Sequence, residues 1–314
     1  MKLFSYIFLL LFLMIIQSCS NKDFKIDDLK SLQINKIPSG SGITLYDRNY
    51  YVIGDDSPFL FVLNKKFEIL DSILLIDSVY TVDGRISKSQ KPDFEALENI
   101  NEKELVIFGS GSKSPKRDVF IRVLLNNLTI EKYCISEFYD SLKKLPIMQN
   151  SELNIEGVAY YDEDIFLFNR QNNLILKYNY EELLWYFKNK NNLPKPIIMQ
   201  CKLPTINDIE AGFSGAVALK NEPLIVFTAS VENTENAYDD GEILGSFVGV
   251  INISNNTISD VIDYYEISTK GEKLKIESVS ILKELDDQKA DIVLISDDDK
   301  GNSIVLNGTL SWYN

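Results

Sequence analysis

Five stretches of similar sequence, about 60 residues apart, constrain the fold of this chain more than any other feature. Each stretch has a small or acidic residue, then a second small residue, then an apolar strand. They are SGITLY (41–46), FEALEN (94–99), IEGVAY (155–160), FSGAVAL (213–219) and IESVSIL (276–282). A repeat of this kind indicates that one structural unit occurs five times.

The sequence that follows each stretch indicates further strands. A second apolar run comes after a short turn, a polar cluster ends that run, and a third apolar run follows. The second runs are residues 50–54, 104–109, 164–169, 224–229 and 291–296. Runs of β-branched and aromatic residues separated by Asp, Asn and Gly are typical of antiparallel strands. Repeated units of this size are typical of the blades of a β-propeller.

The two ends of the repeat predict how the ring closes. The last unit ends after its third strand, whereas residues 29–37 precede the first unit and have strand character. We therefore predict an all-β, five-bladed propeller over residues 30–314, in which the N-terminal strand completes the last blade. A sixth, degenerate blade within 135–212 is one alternative, and an open multi-sheet or sandwich protein is another.

Two segments interrupt the strand pattern with helical spacing of apolar residues. The first is SEFYDSLKKL (136–145), with Ser136 as a candidate cap, and the second is YNYEELLWYFKNKNN (178–192). We predict that both are short helical inserts packed on the propeller.

The first residues of the chain predict export and a lipid anchor. Lys2 precedes an unbroken apolar run, and Ile16-Gln17-Ser18-Cys19 looks like a bacterial lipobox. We predict a lipoprotein signal peptide over 1–18, lipidation of Cys19 and a tether over 19–29. The alternatives are an ordinary signal peptide and a single membrane anchor. The prediction places a monomer at the bacterial cell envelope, facing the periplasm or the cell surface, with the membrane contacted through the lipid.

Charge and composition exclude several kinds of function. The formal net charge is −14 and no long Lys/Arg run is present, so we expect no nucleic-acid partner. The chain has no histidine, which excludes Ser-His-Asp and Cys-His sites and any zinc site that needs imidazole. Cys134 and Cys201 could pair or remain free thiols. Carboxylates, Lys, Arg, Tyr and Ser remain available, as does a hard metal such as calcium.

The repeat also predicts where charged side chains meet. In a propeller the first strand of each blade lines the channel and the second strand returns antiparallel to it. The first residues of the five inner strands should therefore form a ring with the polar clusters on one face. That ring contains Ser41, Glu95, Glu156, Ser214 and Glu277. Three converging carboxylates repel one another, and a calcium ion on the axis would neutralise them.

Asp55 and Asp297, which follow second strands, could supply further ligands to this metal or serve ordinary turns. Alternatively, Arg117 or Arg170 reaches the acids, or each glutamate caps its local turn.

One polar cluster is basic on an otherwise acidic chain. The run GSGSKSPKRD (109–118) supplies Ser110, Lys116 and Arg117, and Arg170 lies in the matching cluster of the next unit. We predict an anion site from these four residues. A mobile polar loop is the alternative.

Several of these motifs resemble a known group of propellers. The resemblance is to phytase-like and SdiA-regulated-like β-propeller proteins. The motifs that carry it are DFEAL (93–97), NIEGVAY (154–160), GFSGAVAL (212–219) and the GDD that follows the second strand of the first unit (54–56). Lipoproteins of unknown function in Bacteroidetes-type bacteria are related to these families. The resemblance covers about residues 30–314. It implies a divalent metal held by acids at the heads of inner strands, where Glu156 matches best and Ser41 and Ser214 depart from the pattern.

The sequence thus leads to two hypotheses for function. The first is an envelope-anchored propeller that binds an unidentified small molecule or protein, with a divalent metal on its axis. The second is a calcium-dependent hydrolase, phosphoesterase-like or lactonase-like, that acts on an anionic small molecule. We favour the first, because no evident general base accompanies the glutamates.

Overall fold

The structure is a computed structural model that describes residues 24–77, 81–82, 84–234, 241–254, 263–267, 273–285, 288–297 and 302–312. Within these residues the chain forms five four-stranded antiparallel sheets, the blades of a β-propeller. The predicted fold class and blade number are confirmed. The signal peptide, Cys19, Asp298 and Asp299 lie outside the described residues.

The first three blades follow one another along the chain. Blade 1 is β2 (Gly40–Tyr46), β3 (Asn49–Gly54), β4 (Phe59–Leu63) and β5 (Ile69–Leu74). A small hairpin, β6 (Thr81–Val82) and β7 (Arg85–Ile86), precedes blade 2. Blade 2 is β8 (Phe94–Ile100), β9 (Glu104–Gly109), β10 (Val119–Leu124) and β11 (Thr129–Cys134). Blade 3 is β12 (Ile155–Tyr161), β13 (Asp164–Asn169), β14 (Leu174–Asn179) and β15 (Ile197–Gln200).

The last two blades complete the ring. A second hairpin, β16 (Thr205–Ile206) and β17 (Ile209–Glu210), follows blade 3. Blade 4 is β18 (Gly212–Ala218), β19 (Leu224–Asn233), β20 (Glu242–Asn252) and β21 (Asp263–Ile267). Blade 5 contains β22 (Lys275–Leu285), β23 (Lys289–Asp297) and β24 (Ser303–Ser311). The segment 135–212 therefore contains one blade, a hairpin and helices, and it does not form a sixth blade.

The N-terminal strand closes the ring as predicted. β1 (Lys25–Ile34) pairs antiparallel with β24 and becomes the outer strand of blade 5. It begins four residues earlier than the sequence pattern indicated, so residues 25–29 belong to the strand rather than to the tether. Most side chains of this segment are exposed and only Ile26 and Ile34 are buried, so a search for alternating apolar residues does not detect the whole strand.

The hydrophobic core is divided into five clusters, one between each pair of neighbouring blades. The largest lies between blades 2 and 3 and includes both helices, α1 (Ser136–Lys143) and α2 (Tyr180–Asn189). Phe138 of α1 packs edge-on against Phe187 of α2, with ring centroids 5.2 Å apart. Both helical inserts are confirmed, but Ser136 is the first helical residue and not the cap, which is Ile135.

Small residues in the inner strands form the narrow waist of the channel. A Cβ added at Gly215 would lie 2.6 Å from Ser278 Cα, and one at Gly157 would lie 3.0 Å from the Gly215 carbonyl carbon. The inner strands of blades 3, 4 and 5 therefore approach so closely that the second small residue of the repeat is a packing requirement. This waist separates the channel into two mouths. We call them the head mouth, where inner strands begin, and the tail mouth, where they end.

Candidate functional site

A β-bulge near the start of every inner strand places one side chain at the head mouth. In each blade the register between the first and second strands shifts at this residue. The bulged residues are Ser41, Glu95, Glu156, Ser214 and Glu277. Because a bulge re-aims a side chain away from the regular alternation, five equivalent bulges produce the ring that the repeat predicts.

The two serine heads join neighbouring blades. Ser214 Oγ donates to the Ile276 carbonyl of blade 5 at 2.6 Å, and Ser41 Oγ donates to the Phe94 carbonyl of blade 2. Each serine thereby satisfies a backbone carbonyl at the entrance of the next inner strand. These residues have a structural role in the ring.

Glu156 and Glu277 each have a cation beside them, Arg170 for Glu156 and Lys275 for Glu277. Arg170 Nη1 lies 3.9 Å from Glu156 Oε2, and Arg170 Nη2 lies 3.2 Å from Glu232 Oε2. Lys275 Nζ lies 3.0 Å from Glu277 Oε1 and 3.8 Å from Glu232 Oε2. These contacts link blades 3, 4 and 5 by a continuous chain of alternating charges.

Glu95 belongs to a different group, between blades 1 and 2. Single carboxylate oxygens of Asp55, Asp93 and Glu95 all lie within 4.8 Å of one another. Lys91 contacts two of them: its Nζ pairs with Asp55 and lies 2.8 Å from Asp93 Oδ1. Asp93 also accepts from Ser110 Oγ and Arg117 Nη1. The carboxylates that converge are thus off the channel axis, and Glu156 is not among them.

A cavity of about 650 Å³ opens over this group at the head mouth. Asp55, Glu95, Glu277 and Asp297 line it. The cationic side chains on its wall are Arg85, Lys88, Lys91 and Lys275. Two carboxylate oxygens of this cavity, Glu277 Oε2 and Asp56 Oδ1, are buried and have no hydrogen-bond partner within the described part of the chain. Both side chains are more than nine-tenths buried. Buried carboxylate oxygens normally have partners, so this cavity has capacity for a cation or a donor.

Burial governs the protonation of these acids. Desolvation raises the pKa of Asp55 to about 6 even though Lys91 opposes the shift. Desolvation raises the pKa of Glu277 to about 7, with Lys275 acting in the other direction. The pKa of Glu95 is raised well above its usual range by burial and then by Asp93 and Glu156. A cation that approaches these acids would therefore favour their ionised forms.

The donor set of the Asp55, Asp93 and Glu95 group suits a hard metal. Two oxygens bound to one calcium ion lie no more than about 5 Å apart, and the spacing here meets that limit. Lys91 lies among the three carboxylates, so a metal would need its ammonium group to turn aside. The three residues could hold a metal ion if the ammonium group of Lys91 moved away from them.

The four predicted anion ligands do not form one open site. Ser110 and Arg117 are buried and directed to Asp93, and Arg170 is directed to Glu156 and Glu232. Lys116 is exposed on the loop. Arg117 and Arg170 thus act as counter-charges to the protein's own acids, as the alternative reading of the sequence allowed. Neither Cys134 nor Cys201 forms a disulfide.

Sequence reasoning missed Asp93, Lys91 and Lys275 as site residues. Asp93 and Lys275 each lie two positions before a head glutamate, as Asn154 does before Glu156, to which it donates at 2.6 Å. Residues i and i−2 share one face of a strand, so this spacing was available as a signal. Lys91 comes from the loop before β8, which has no counterpart in the other units.

The fold is similar to that of solved propeller structures. A glutaminyl cyclase from Myxococcus xanthus superimposes with a TM-score of 0.51 at 9% identity, covering 92% of this chain and 97% of the other. The major allergen Mala s 1 of Malassezia sympodialis gives a TM-score of 0.51 at 9% identity, covering 90% and 96%. At these identities the likeness extends to the fold alone.

Three further findings concern membrane-spanning helices, curated relatives and the family. Among the described residues, no helix is long and apolar enough to cross a membrane. No curated protein matches the sequence. A family model covers residues 36–310, from the end of β1 to the last strand. The chain therefore belongs to DUF6929, a family of unknown function.

Proposed function

We propose that the protein is a binding propeller of the bacterial cell envelope whose head-mouth cavity holds a calcium ion as part of a ligand site. One observation carries the proposal: the oxygens of Asp55, Asp93 and Glu95 converge within 4.8 Å beside an open cavity. Three carboxylates against Lys91 and Arg117 leave an excess negative charge, and burial together with this crowding raises the pKa of Asp55 and of Glu95.

The position of the proposed metal differs from the sequence prediction. A metal on the axis would need Glu156 and Glu277, whereas Arg170 and Lys275 already contact those two residues. The metal is therefore proposed between blades 1 and 2, beside a cavity that Glu277 and Asp297 also line.

The calcium-dependent hydrolase remains the second candidate function. Arg85 and Lys88, on the wall of the same cavity, could bind an anionic substrate beside the metal. Binding is favoured, because Ser110, Arg117 and Arg170 are engaged by acids of the protein itself. The resemblance to phytase-like propellers supports metal binding. It does not distinguish the two functions, because both include a bound metal.

Cellular location is part of the proposal. The lipobox-like Ile16-Gln17-Ser18-Cys19 supports cleavage before Cys19 and lipid attachment at that thiol. We propose a monomer that contacts the membrane through this lipid only.

The test of the metal is thermal unfolding at pH 8 with increasing calcium and then with excess EDTA. Because calcium would bind only the folded state, the Tm should rise with calcium concentration. At a hundredfold excess over the Kd, the free energy of unfolding should increase by about 2.7 kcal/mol. Glu95→Gln should abolish the shift. Glu98→Gln is the matched control, on the same strand but at the tail mouth, and should retain it.

Either of two results would contradict the metal proposal: a Tm that does not respond to calcium, or a response that Glu95→Gln leaves intact. Turnover of phosphate monoesters or lactones that depends on calcium and on Glu95 would favour the hydrolase instead.

A further inference from the structure

The tail mouth holds a second and larger cavity, which the proposed function does not use. Its volume is about 1,140 Å³, and the hairpin turns that end the inner strands of all five blades line it. A cavity of this size accommodates a small organic ligand, and it is far larger than a metal ion needs.

Glu98 lies deep in this cavity. The residue is 6% exposed, and its Oε1 accepts a hydrogen bond from the Asn99 amide at 2.6 Å. No lysine or arginine in the described part of the chain forms an ion pair with it. Every acid in the inner-strand ring at the head mouth has a cation or another carboxylate beside it, so Glu98 is distinctive in being buried alone.

The walls around Glu98 are aromatic and aliphatic. Tyr46, Tyr160 and Tyr161 contribute half-buried rings from blades 1 and 3, and Val217 and Leu219 contribute buried aliphatic side chains from blade 4. Tyrosine faces attract organic cations, and aliphatic walls accept their carbon skeleton.

The charges of the cavity are predominantly negative. Its charged side chains are Asp47, Glu98, Glu102, Asp162, Lys220, Lys283 and Glu284. Lys220 Nζ lies 3.0 Å from Glu102 Oε1 across the mouth, but these side chains are 79% and 65% exposed, so the pair is weak and easily opened.

We propose that the tail-mouth cavity binds a small organic cation, a primary amine on an aliphatic or aromatic body, with its ammonium group at Glu98. The tyrosines cover the carbon skeleton, and the exposed acids at the rim attract the cation. The site is independent of the calcium site, which lies on the other side of the waist.

Protonation of Glu98 provides an independent signature of this binding. Burial raises the pKa of Glu98 to about 8, so its carboxyl is mostly protonated at pH 7. An ammonium group at hydrogen-bond distance favours the carboxylate. The ligand keeps its own proton, and Glu98 loses one to solvent, so binding at pH 7 should release close to one proton per site.

The experiment is calorimetric titration of the protein, in EDTA, with three probes of equal chain length. They are 1,5-diaminopentane, the neutral 1,5-pentanediol and the anionic glutarate. We expect the diamine alone to bind, with a heat that depends on the ionisation enthalpy of the buffer, as proton release requires. Glu98→Gln should weaken binding at least about tenfold and abolish the proton release.

Glu98→Gln should fold normally, because the amide replaces a carboxyl group that is already neutral at pH 7. Two further variants separate the site from the head mouth. Glu95→Gln should bind the diamine as the unmodified protein does. Lys220→Met removes a competing cation at the rim and should tighten binding by about two- to fivefold.

The proposal is overturned by any of four outcomes. They are no binding of the diamine, equal binding of the diol, binding that survives Glu98→Gln, and loss of binding in Glu95→Gln. The last of these would place the amine among the head-mouth acids instead.

Discussion

The two mouths of the channel are built from opposite ends of the same five strands, yet they differ in chemistry. At the head mouth, acids are joined to Arg170, Lys275 and Lys91 in networks that span several blades. At the tail mouth, tyrosines and one buried acid, Glu98, line the cavity, and the Lys220–Glu102 pair lies at the exposed rim. Strand β8 supplies Glu95 to one mouth and Glu98 to the other.

The difference shows which features of a propeller the repeat controls. Head residues occupy equivalent bulges, so every blade must place a side chain at the same point near the axis. Tail residues come from the ends of the inner strands and from the hairpin turns that follow them. The turns need only reverse the chain and therefore vary freely. A variable rim around a cavity is typical of a binding surface carried by a rigid scaffold.

The largest expected effect comes from the waist that separates the mouths. Gly215→Val places methyl groups against the backbone of β22, where even a Cβ would lie 2.8 Å from the Glu277 carbonyl oxygen. We expect a loss of more than about 5 kcal/mol in the free energy of unfolding, or failure to fold. Urea denaturation measures it. Ala218→Val, on the same strand nearer the tail mouth, is the control and should cost under about 1 kcal/mol. Equal losses in the two variants would contradict the close packing of the inner strands at the waist.

The next effect tests the head-mouth network. Arg170→Met leaves Glu156 without its cation and Glu232 with only Lys275, at 3.8 Å. Because both carboxylates are buried, we expect a loss of about 3–5 kcal/mol by chemical denaturation. Adding Glu156→Gln should recover part of that loss. A single variant as stable as the unmodified protein would show that the network carries no stability.

The third effect isolates the buried acid of the tail mouth. The folded-state pKa of Glu98 is about 8, above its value of about 4.5 in an unfolded chain, so the folded state binds more protons between these limits. Stability from Glu98 is complete below pH 4.5 and is lost as the pH rises through 8. Glu98→Gln should match the unmodified protein at pH 5 and exceed its stability by on the order of 2–4 kcal/mol at pH 9. A difference that does not change with pH would contradict this assignment.

The smallest effect is at the head mouth. Burial raises the pKa of Glu277 to about 7, above its value of about 4.5 in an unfolded chain, so this carboxylate also costs stability as the pH rises through 7. Lys275, whose Nζ lies 3.0 Å from Glu277 Oε1, offsets part of that cost. At pH 9 we expect Glu277→Gln to gain on the order of 1–2 kcal/mol, less than Glu98→Gln gains. Denaturation of both variants in one buffer series makes the comparison direct, and an equal or larger gain for Glu277→Gln would contradict the difference between the mouths.

The sequence was sufficient for the architecture. Five units, the closing strand, both helical inserts and the ring of bulged residues follow from repeat spacing and apolar periodicity. It was insufficient for the ionic partners. Lys91 lies in a loop unique to one unit, and the Lys275–Glu232 contact joins residues from two blades, so neither leaves a periodic trace.

The tail cavity escaped prediction for a related reason. Glu98 follows Glu95 by three residues in FEALEN, and nothing in the spacing distinguishes a buried acid from an exposed one. Its role depends on the tyrosines of blades 1 and 3, which the ring brings together only after it closes.

The closing strand also determines which mouth would face a membrane. The register of blade 5 places the start of β1 near the tail mouth. Lys25 of β1 pairs with Ser311 of β24, and Ser311 pairs with Lys289 of β23. Lys289 in turn pairs with Leu285 of β22, the residue after Glu284, which lines the tail-mouth cavity. Strand β1 therefore begins on the tail side of the ring. With a lipid on Cys19, the six residues 19–24 span at most about 20 Å, so the tail mouth would open onto the lipid headgroups. Cations that gather at an anionic bilayer surface would then be nearest the mouth that contains Glu98, and dissolved calcium would reach the other mouth from the open solvent.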